Sequence, residues 1–426
     1  LCISFVIMLA GSFLPAPAPV TRMGMQVIFV FIGMIYGWCV STMMWPSLLG
    51  ILMLGLTEYM ASSTASFTAF ITNSSVLGMV TSFVVLGFLA SSGLLVTIAK
   101  WIVTRKSLVG KPWKFIVVIS LVVWFASAVF HTVVTMILFF SLILGLLKDM
   151  GYTKEDMLPT FMLMDIAIIA AFGAMWLPFM PNALFVQGLI FTSVGANLTT
   201  LQYLGCISLP SFLAVVVYLL VGRFLLRIDT TKFIKASESA ADEIIEVTAT
   251  QKHAIVALII FVLGVGLPAV CPATWPPIAV LNRMGIVGVS IAVTIGLIVL
   301  NGKDGKPIAT FKEMASEGYG DFSAIVLSGS ILLVGASVTA KGTGIVEAIS
   351  AFLLPLINQM SIALFIAVIA IFLALISQVS MNMVLMMIFS PLLAAVLSSV
   401  GANPIMSIMV AYLAPNVAFL APSGSM

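Results

Sequence analysis

Around ten stretches of about 20 apolar residues recur along this chain, and they constrain its fold more than any other feature. Only 8% of the 426 residues are charged, against about 25% in soluble domains, so a water-soluble surface cannot be built from them. Stretches of this length match helices that cross a bilayer, where backbone polar groups must bond within the segment. The sequence therefore predicts an all-α, multi-pass integral membrane protein, which we expect in the cell (inner) membrane.

One long hydrophilic stretch, from Arg223 to Lys252, divides the chain into two parts. The chain begins at Leu1 and stops directly after a helical pattern, so we expect both ends to be truncated. The predicted organisation is a partial first membrane helix in 1–23, a first repeat in 24–225, a cytoplasmic linker in 226–252, and a second repeat in 253–426 that lacks its final helix.

Two pairs of residues support an internal repeat. Gly93 and Gly344 are 251 residues apart, and each stands where a helical pattern gives way to a short amphipathic one. His131 and Asn382 are separated by the same interval. The order and length of the apolar segments in the two halves point the same way, so we predict two structural repeats.

The placement of the positive charges predicts that the repeats are inverted. If the linker is cytoplasmic, all of the 18 Lys and Arg except Arg22, Arg283 and Lys341 fall on the cytoplasmic side, as the positive-inside rule requires. This threading works only if the apolar segments 115–147 and 362–400 each enter and leave the membrane on the same side. The two halves then have opposite orientations.

Segments 115–147 and 362–400 are therefore predicted to be re-entrant helical hairpins. The first has 33 residues, too long for one spanning helix and too short for two with a turn. Polar residues lie at the centre of each segment, with His131 in the first and Asn382 in the second. We expect two half-length helices to meet there, with Thr132 and Asn382 placed as cap-like side chains.

Two further apolar segments are interrupted by proline. Pro178 and Pro181 break the run 159–190, and Pro422 breaks the end of the chain. Paired interruptions of this kind in two halves are the best sequence indication of a transporter's binding site. At the hairpin tips, the free N–H groups of the second helix favour an anion, and the free carbonyls at the end of the first helix favour a cation.

In these features the chain resembles the divalent anion/sodium symporter family, which includes bacterial dicarboxylate and mammalian citrate carriers. That family has Ser-Asn-Thr at two hairpin tips, and Thr-Pro-Pro-Asn or a Pro-Ser-Gly-like variant at two unwound helices. The tips here read Phe130-His131-Thr132 and Ser380-Met381-Asn382-Met383, without the first Asn and the second Thr. The breaks read Phe179-Met180-Pro181-Asn182 and Pro422-Ser423-Gly424-Ser425.

The resemblance implies an elevator-type carrier, a homodimer, whose hairpin tips pair with the breaks: 127–132 with 177–182, and 377–383 with 421–425. The implied substrate-binding residues are His131, Thr132, Asn182, Ser380, Asn382 and Ser423. The implied sodium-binding residues are Ser127, Pro181, Asn182, Ser377, Asn382, Ser423 and Gly424. We expect at least two sodium ions as coupling ions, no other metal or cofactor, and no nucleic-acid partner.

Two ionisable residues in the apolar segments leave alternatives open. His131 either binds the substrate carboxylate or titrates during transport, or it is a neutral residue that caps the tip. Asp165 needs a partner or a water cavity if it lies in the membrane, because a charge there costs about 2.5–3.5 kcal/mol, or it reaches the inner interface instead.

The predicted function is secondary active transport of small divalent organic anions, by sodium symport. A sodium-independent anion exchanger on the same fold, a carrier of an inorganic divalent anion such as sulfate, and a gated channel are alternatives. We do not expect an enzyme, because an intramembrane active site needs several facing His, Asp or Glu residues, and the spans contain little beyond His131 and Asp165.

Overall fold

A computed structural model describes residues 2–103, 105–108, 110–130, 132–153, 155–195, 198–237, 247–272, 274–302, 305–315, 322–357, 360–378 and 382–417. Over these ranges the protein is helical without any strand, apart from an isolated bridge between Asn301 and Pro307. The prediction of an all-α protein is confirmed.

Helices follow one another along the described chain with short connections. Their bounds are α1 Cys2–Ala10, α2 Arg22–Val40, α3 Met44–Leu54, α4 Ser63–Ile71, α5 Ser74–Ser91, α6 Leu94–Val103, α7 Pro112–Val129, α8 Thr132–Asp149, α9 Met157–Gly173, α10 Pro181–Val194, α11 Thr200–Tyr203, α12 Leu209–Leu220, α13 Thr231–Ser237, α14 Ala249–Val270, α15 Pro276–Val299, α16 Phe311–Met314, α17 Phe322–Val338, α18 Ile345–Ile357, α19 Ile362–Ile376, α20 Asn382–Ser399 and α21 Pro404–Leu413. π-Helical turns at Leu204–Ser208 and Val221–Leu225 flank α12.

Six helical stretches in the described residues are long and apolar enough to cross a membrane, which fits a multi-pass membrane protein. They are Arg22–Val40, Ser74–Ser91, Pro112–Val129, Thr200–Leu225, Ala249–Pro268 and Pro276–Val299. The last three are only 22% buried within the protein and expose large apolar side chains, for example Ile260 and Leu263 on α14. Lipid tails are the natural contact for such surfaces.

The chain forms two compact units, which are described separately. Unit 1 comprises Leu1–Val80, Leu184–Leu198 and Asp321–Met426, and unit 2 comprises Thr81–Ala183 and Thr199–Gly320. These units divide the chain differently from the predicted repeats, because unit 1 joins the beginning of the sequence to its end.

In unit 2, α9 packs against α7, α8 and α12. Ile119 on α7, Phe139 on α8 and Ile169 on α9 are fully buried in the core that these helices share. The rings of Phe161 on α9 and Tyr218 on α12 stack with their centroids 4.9 Å apart. Helix α9 is thus packed against three other helices of this unit.

The start of the hydrophilic linker is anchored to unit 2. Lys232 on α13 contacts the Asp156 carboxylate at 2.8 Å, and Phe233 beside it is buried. The Lys232 ammonium and the Thr153 backbone N–H donate to Asp156, and both hold the pKa of that carboxyl below its usual range. The amide of Phe233 also donates to the Tyr152 hydroxyl at 3.0 Å.

In unit 1, α3 packs against α2 and α17, and the Trp38 indole N–H donates to Ser47 Oγ at 3.0 Å to join α2 to α3. In the C-terminal part, α20 packs against α18 and α21. The rings of Phe372 on α19 and Phe389 on α20 meet edge to face with centroids 5.8 Å apart.

Helices α3 and α21 both end inside apolar stretches of the sequence. The segment 43–59 contains α3 only to Leu54, because the chain turns at Gly55 to pack against Ser63, whose amide nitrogen would lie 2.7 Å from a Cβ at that glycine. The segment 404–420 contains α21 to Leu413 and then a 3₁₀ turn, Ala414–Val417, which includes Pro415. Proline cannot continue the α-helical hydrogen-bond ladder, so the α-helix ends before it.

Candidate functional site

The first predicted hairpin is interrupted where its polar centre predicted. Helix α7 ends at Val129 and α8 begins at Thr132. Each helix has 18 residues and is therefore about 27 Å long, not half-length. The helix length expected from the apolar residues alone was too short, because the helices continue beyond the apolar segment. Helix α7 already begins at Pro112, and α8 continues to Asp149.

Residues 174–180 form a non-helical interruption between α9 and α10, which we call the buried break. Its backbone is folded into turns, and the side chains of Met175, Leu177 and Met180 are at most 5% exposed. Pro178 and Pro181 lie inside the break and at its end, as predicted. An irregular backbone inside an apolar protein leaves polar groups that need partners.

Hydroxyl groups that follow the break in sequence supply some of those partners. Tyr203 donates to the carbonyl of Met175 at 2.7 Å, and Ser208 donates to that of Trp176 at 2.5 Å. Ser211 on α12 donates to the carbonyl of Phe172, in the last turn of α9, at 2.7 Å. The start of the break is therefore fixed by the segment containing α11 and α12.

The end of α7 contacts the buried break. The rings of Trp124 and Trp176 stack with centroids 4.5 Å apart, and the Phe125 ring lies 5.6 Å from Trp176. The Trp124 indole also donates to Ser211 Oγ at 3.0 Å, while the Trp176 indole nitrogen is buried with no partner in the described chain. The structure therefore brings the last two turns before the first tip against the break.

The predicted residues around the first tip have different outcomes. Ser127 is 2% exposed and donates to the Val123 carbonyl at 2.7 Å, which leaves lone pairs on its oxygen. Thr132 is the first residue of α8, one position after the cap that we predicted for it, and Pro181 is the first residue of α10. Asn182 follows in α10, but its side chain and all of His131 lie outside the described residues.

At the first tip and break, the N-termini of α8 and α10 are the groups that could bind a ligand. The first N–H groups of each helix have no partner within that helix, and the helix dipole places partial positive charge there. An anion is the ligand that such a terminus binds most readily.

The second hairpin is also interrupted at its polar centre, between α19 and α20. Ser377, fully buried, and Gln378 both donate to the Ala374 carbonyl, at 2.9 and 2.7 Å. Asn382 is the first residue of α20, so it is not the cap that we predicted, and its Oδ1 is buried without a hydrogen-bond partner in the described chain. The predicted Ser380, Ser423 and Gly424, with the break at Pro422, lie outside the described residues.

Asp165, for which a partner within the membrane and a position at the inner interface were both open, is buried inside unit 2. The side chain is 0% exposed and lies in the third turn of α9 in the core of unit 2. Ser120 on α7 contacts its Oδ2 at 2.7 Å.

A cavity elsewhere in unit 2 contains none of the predicted residues. Its volume is about 510 Å³ between α14 and α15, and its walls are apolar apart from His253 and Asn301. A dianion needs charged or polar partners, so these walls do not suit the predicted substrate.

Sequence patterns missed Trp124, Trp176, Tyr203, Ser208 and Ser211. None of these residues stands out locally, and their contacts join positions from 28 to 87 residues apart. The aromatic pair and the hydroxyl groups could be recognised only once α7, α9 and α12 were placed together.

The fold defines the class as a multi-pass α-helical membrane protein with buried helix interruptions. No model of a known protein family matches the chain, and no curated protein matches it either.

Proposed function

We propose that this protein is a secondary active carrier of small divalent organic anions, such as di- and tricarboxylates, coupled to sodium as a symporter. The observation that carries the proposal is the buried break at 174–180, packed against the end of α7 beside the first tip. Irregular backbone at membrane depth is tolerated only inside protein or beside a water-filled cavity, and discontinuous helices bind substrates and coupling ions in many transporters.

The positions equivalent under the predicted repeat have similar backbone geometry, which supports the proposal. Gly93 and Gly344 have φ of 69° and 71°, and each directly precedes a short helix, α6 or α18. The second arms of the two hairpins begin at Thr132 and Asn382, one residue short of the 251-residue interval that separates the two glycines. As part of the proposal, the halves are inverted repeats of an elevator-type homodimer in the inner membrane.

Two sodium ions are the minimum that such a symporter needs. Moving a dianion into a cell at about −100 mV costs about 4.6 kcal/mol, at roughly 2.3 per charge. One sodium ion returns about 3.7 kcal/mol, from its own charge and a tenfold gradient worth about 1.4, and two return about 7.4. In this proposal each tip pairs with one break to form one cation site.

Uptake of labelled succinate into proteoliposomes tests the proposal. We expect an inward sodium gradient to drive accumulation, and potassium in place of sodium to abolish it. Uptake that ignores sodium and requires preloaded internal anion would instead identify an exchanger. Uptake of labelled sulfate but not of labelled succinate would identify an inorganic anion as the substrate, and currents far above carrier rates would identify a channel.

Variants of the two asparagines test the assigned site. Asn182→Ala and Asn382→Ala should each reduce sodium-driven uptake at least about tenfold, since losing one good contact to a charged group costs 1.4 kcal/mol or more. Asn282→Ala is the matched control, because Asn282 is exposed on α15. Equal uptake by all three variants would exclude the assigned site.

A further inference from the structure

Asp165 is a buried carboxyl group that the proposed function does not use. It lies on α9, which packs against α7, α8 and α12, and its side chain has no exposed surface. An ionised carboxyl in such a place requires a cation or several hydrogen-bond donors.

Among the residues that the structure describes, the helices around Asp165 place no cation beside it. Tyr218 on α12 is the titratable group that interacts with it, and its hydroxyl donates to the Phe161 carbonyl at 3.1 Å. The other titratable side chains of the surrounding helices and the turn after α12 are exposed: Lys114, Lys148, Asp149 and Arg223. One carboxyl oxygen, Oδ1, is buried with no hydrogen-bond partner in the described chain.

The other carboxyl oxygen, Oδ2, shares the hydroxyl of Ser120 with a backbone carbonyl. Ser120 Oγ lies 2.7 Å from Asp165 Oδ2 and 2.8 Å from the carbonyl oxygen of Ile116. A serine hydroxyl has one hydrogen, and both a carbonyl and a carboxylate can only accept. If Asp165 is ionised, one of these two short contacts has no hydrogen.

A proton on Asp165 satisfies both contacts at once. The carboxyl group then donates from Oδ2 to Ser120, and Ser120 donates to the Ile116 carbonyl, so that each short distance contains one hydrogen. The unpartnered Oδ1 becomes a neutral carbonyl oxygen, which costs less to bury than half of a carboxylate charge.

We propose that Asp165 is a proton-binding site of this protein, protonated in the conformation described and bonded through Ser120 to α7. Binding neutralises the carboxylate, and release returns the proton to water without any other bond being made or broken. The proposal that this proton is bound rests on the geometry alone. Its use as a coupling ion in addition to sodium, released when another conformation admits water to α9, rests on the proposed carrier function.

Infrared spectroscopy of the full-length protein in lipid tests the bound proton without measuring transport. We expect a protonated-carboxyl stretching band at neutral pH that is missing in Asp165→Asn, whose amide keeps the shape and a donor toward Ser120. Absence of any such difference would overturn the proposal.

Two serine variants keep the test usable if Asp165→Asn fails to fold. Ser120→Ala should shift the carboxyl band, because it removes the group that accepts the proton's hydrogen bond. Ser290→Ala is the matched control, since Ser290 is also fully buried and donates to the Ile286 carbonyl in its own helix at 2.8 Å. A band that both variants leave unmoved, or that both shift alike, would contradict the proposed bond.

Succinate uptake under a proton gradient tests the coupling role. An inward proton gradient should stimulate uptake by the wild type, and Asp165→Asn should lose this stimulation while its uptake in the absence of the gradient persists. Equal stimulation of both proteins would exclude the coupling role. If neither protein takes up succinate under any gradient, the proposed carrier function fails, while the infrared result still decides whether the proton is bound.

Discussion

Gly173 determines how closely α7 and α9 approach each other. It is the last residue of α9, and a Cβ at this position would lie 2.8 Å from Trp124 Cα and still closer to the Trp124 carbonyl oxygen. These are backbone atoms, which cannot move aside as the end of a flexible side chain can. The stacking of Trp124 on Trp176 in the buried break depends on this close approach.

Gly173→Ala should therefore destabilise the protein, although alanine is the better helix former. We expect a loss of about 1–3 kcal/mol, the usual cost of overpacking, measured by denaturation in detergent. Gly145→Ala is the control, because Gly145 lies inside α8 and a Cβ there meets nothing within 4 Å. That variant should be unchanged or more stable by up to about 1 kcal/mol. Equal stability of the two variants would contradict the close approach.

At the level of secondary-structure elements, the start of the buried break is held by hydroxyl groups. Tyr203→Phe removes one hydrogen bond and leaves the buried Met175 carbonyl without that donor. The expected loss of stability is about 1–3 kcal/mol, the desolvation cost of an unsatisfied buried polar group.

Tyr36→Phe provides the comparison for Tyr203→Phe, because Tyr36 on α2 is partly exposed and its hydroxyl makes no hydrogen bond within the described chain. It should change stability by no more than about 0.5 kcal/mol. A Tyr203→Phe protein as stable as Tyr36→Phe would show that the break does not need this donor.

The helix interruptions could be predicted from sequence because their signals are local. Polar residues inside an apolar run indicated the interruption next to His131, and proline indicated the break before Pro181. Hydrophobicity did not predict that α7 and α8 continue into polar ends, or that Gly55 ends α3. The partners of the break, Tyr203 and Ser208, lie far from it in sequence and carry no local signal.

At the scale of the whole molecule, contacts and sequence order divide the chain differently. The predicted repeats meet at the linker 226–252, whereas unit 2 runs through that region from Thr199 to Gly320. The two units are defined by contacts between segments that are distant in sequence, whereas the predicted repeats are defined by the order of segments along the chain. The units therefore do not test the inverted orientation of the halves, which stays a prediction. It needs a measurement of which side of the membrane each hairpin enters.

Single-cysteine labelling in intact cells, with a membrane-impermeant maleimide, measures the sidedness of the hairpins. Ser107→Cys and Glu155→Cys flank the first hairpin, and Ala363→Cys and Ser398→Cys lie near the ends of the second; all four positions are exposed. The background is a protein in which the free native cysteines are replaced by alanine: Cys2, Cys39, Cys206 and Cys271.

An inverted repeat places the two hairpins on opposite sides of the membrane. The basic residues that precede α7, among them Lys106 and Lys111, hold the first hairpin on the cytoplasmic side, while the segment before α19 has no charge that would keep it there. Positions 363 and 398 should therefore react from outside, and positions 107 and 155 only after the cells are permeabilised. Reaction of all four positions from one side would mean that the halves are parallel, and the two hairpin tips could not then face each other from opposite leaflets as the symporter proposal requires.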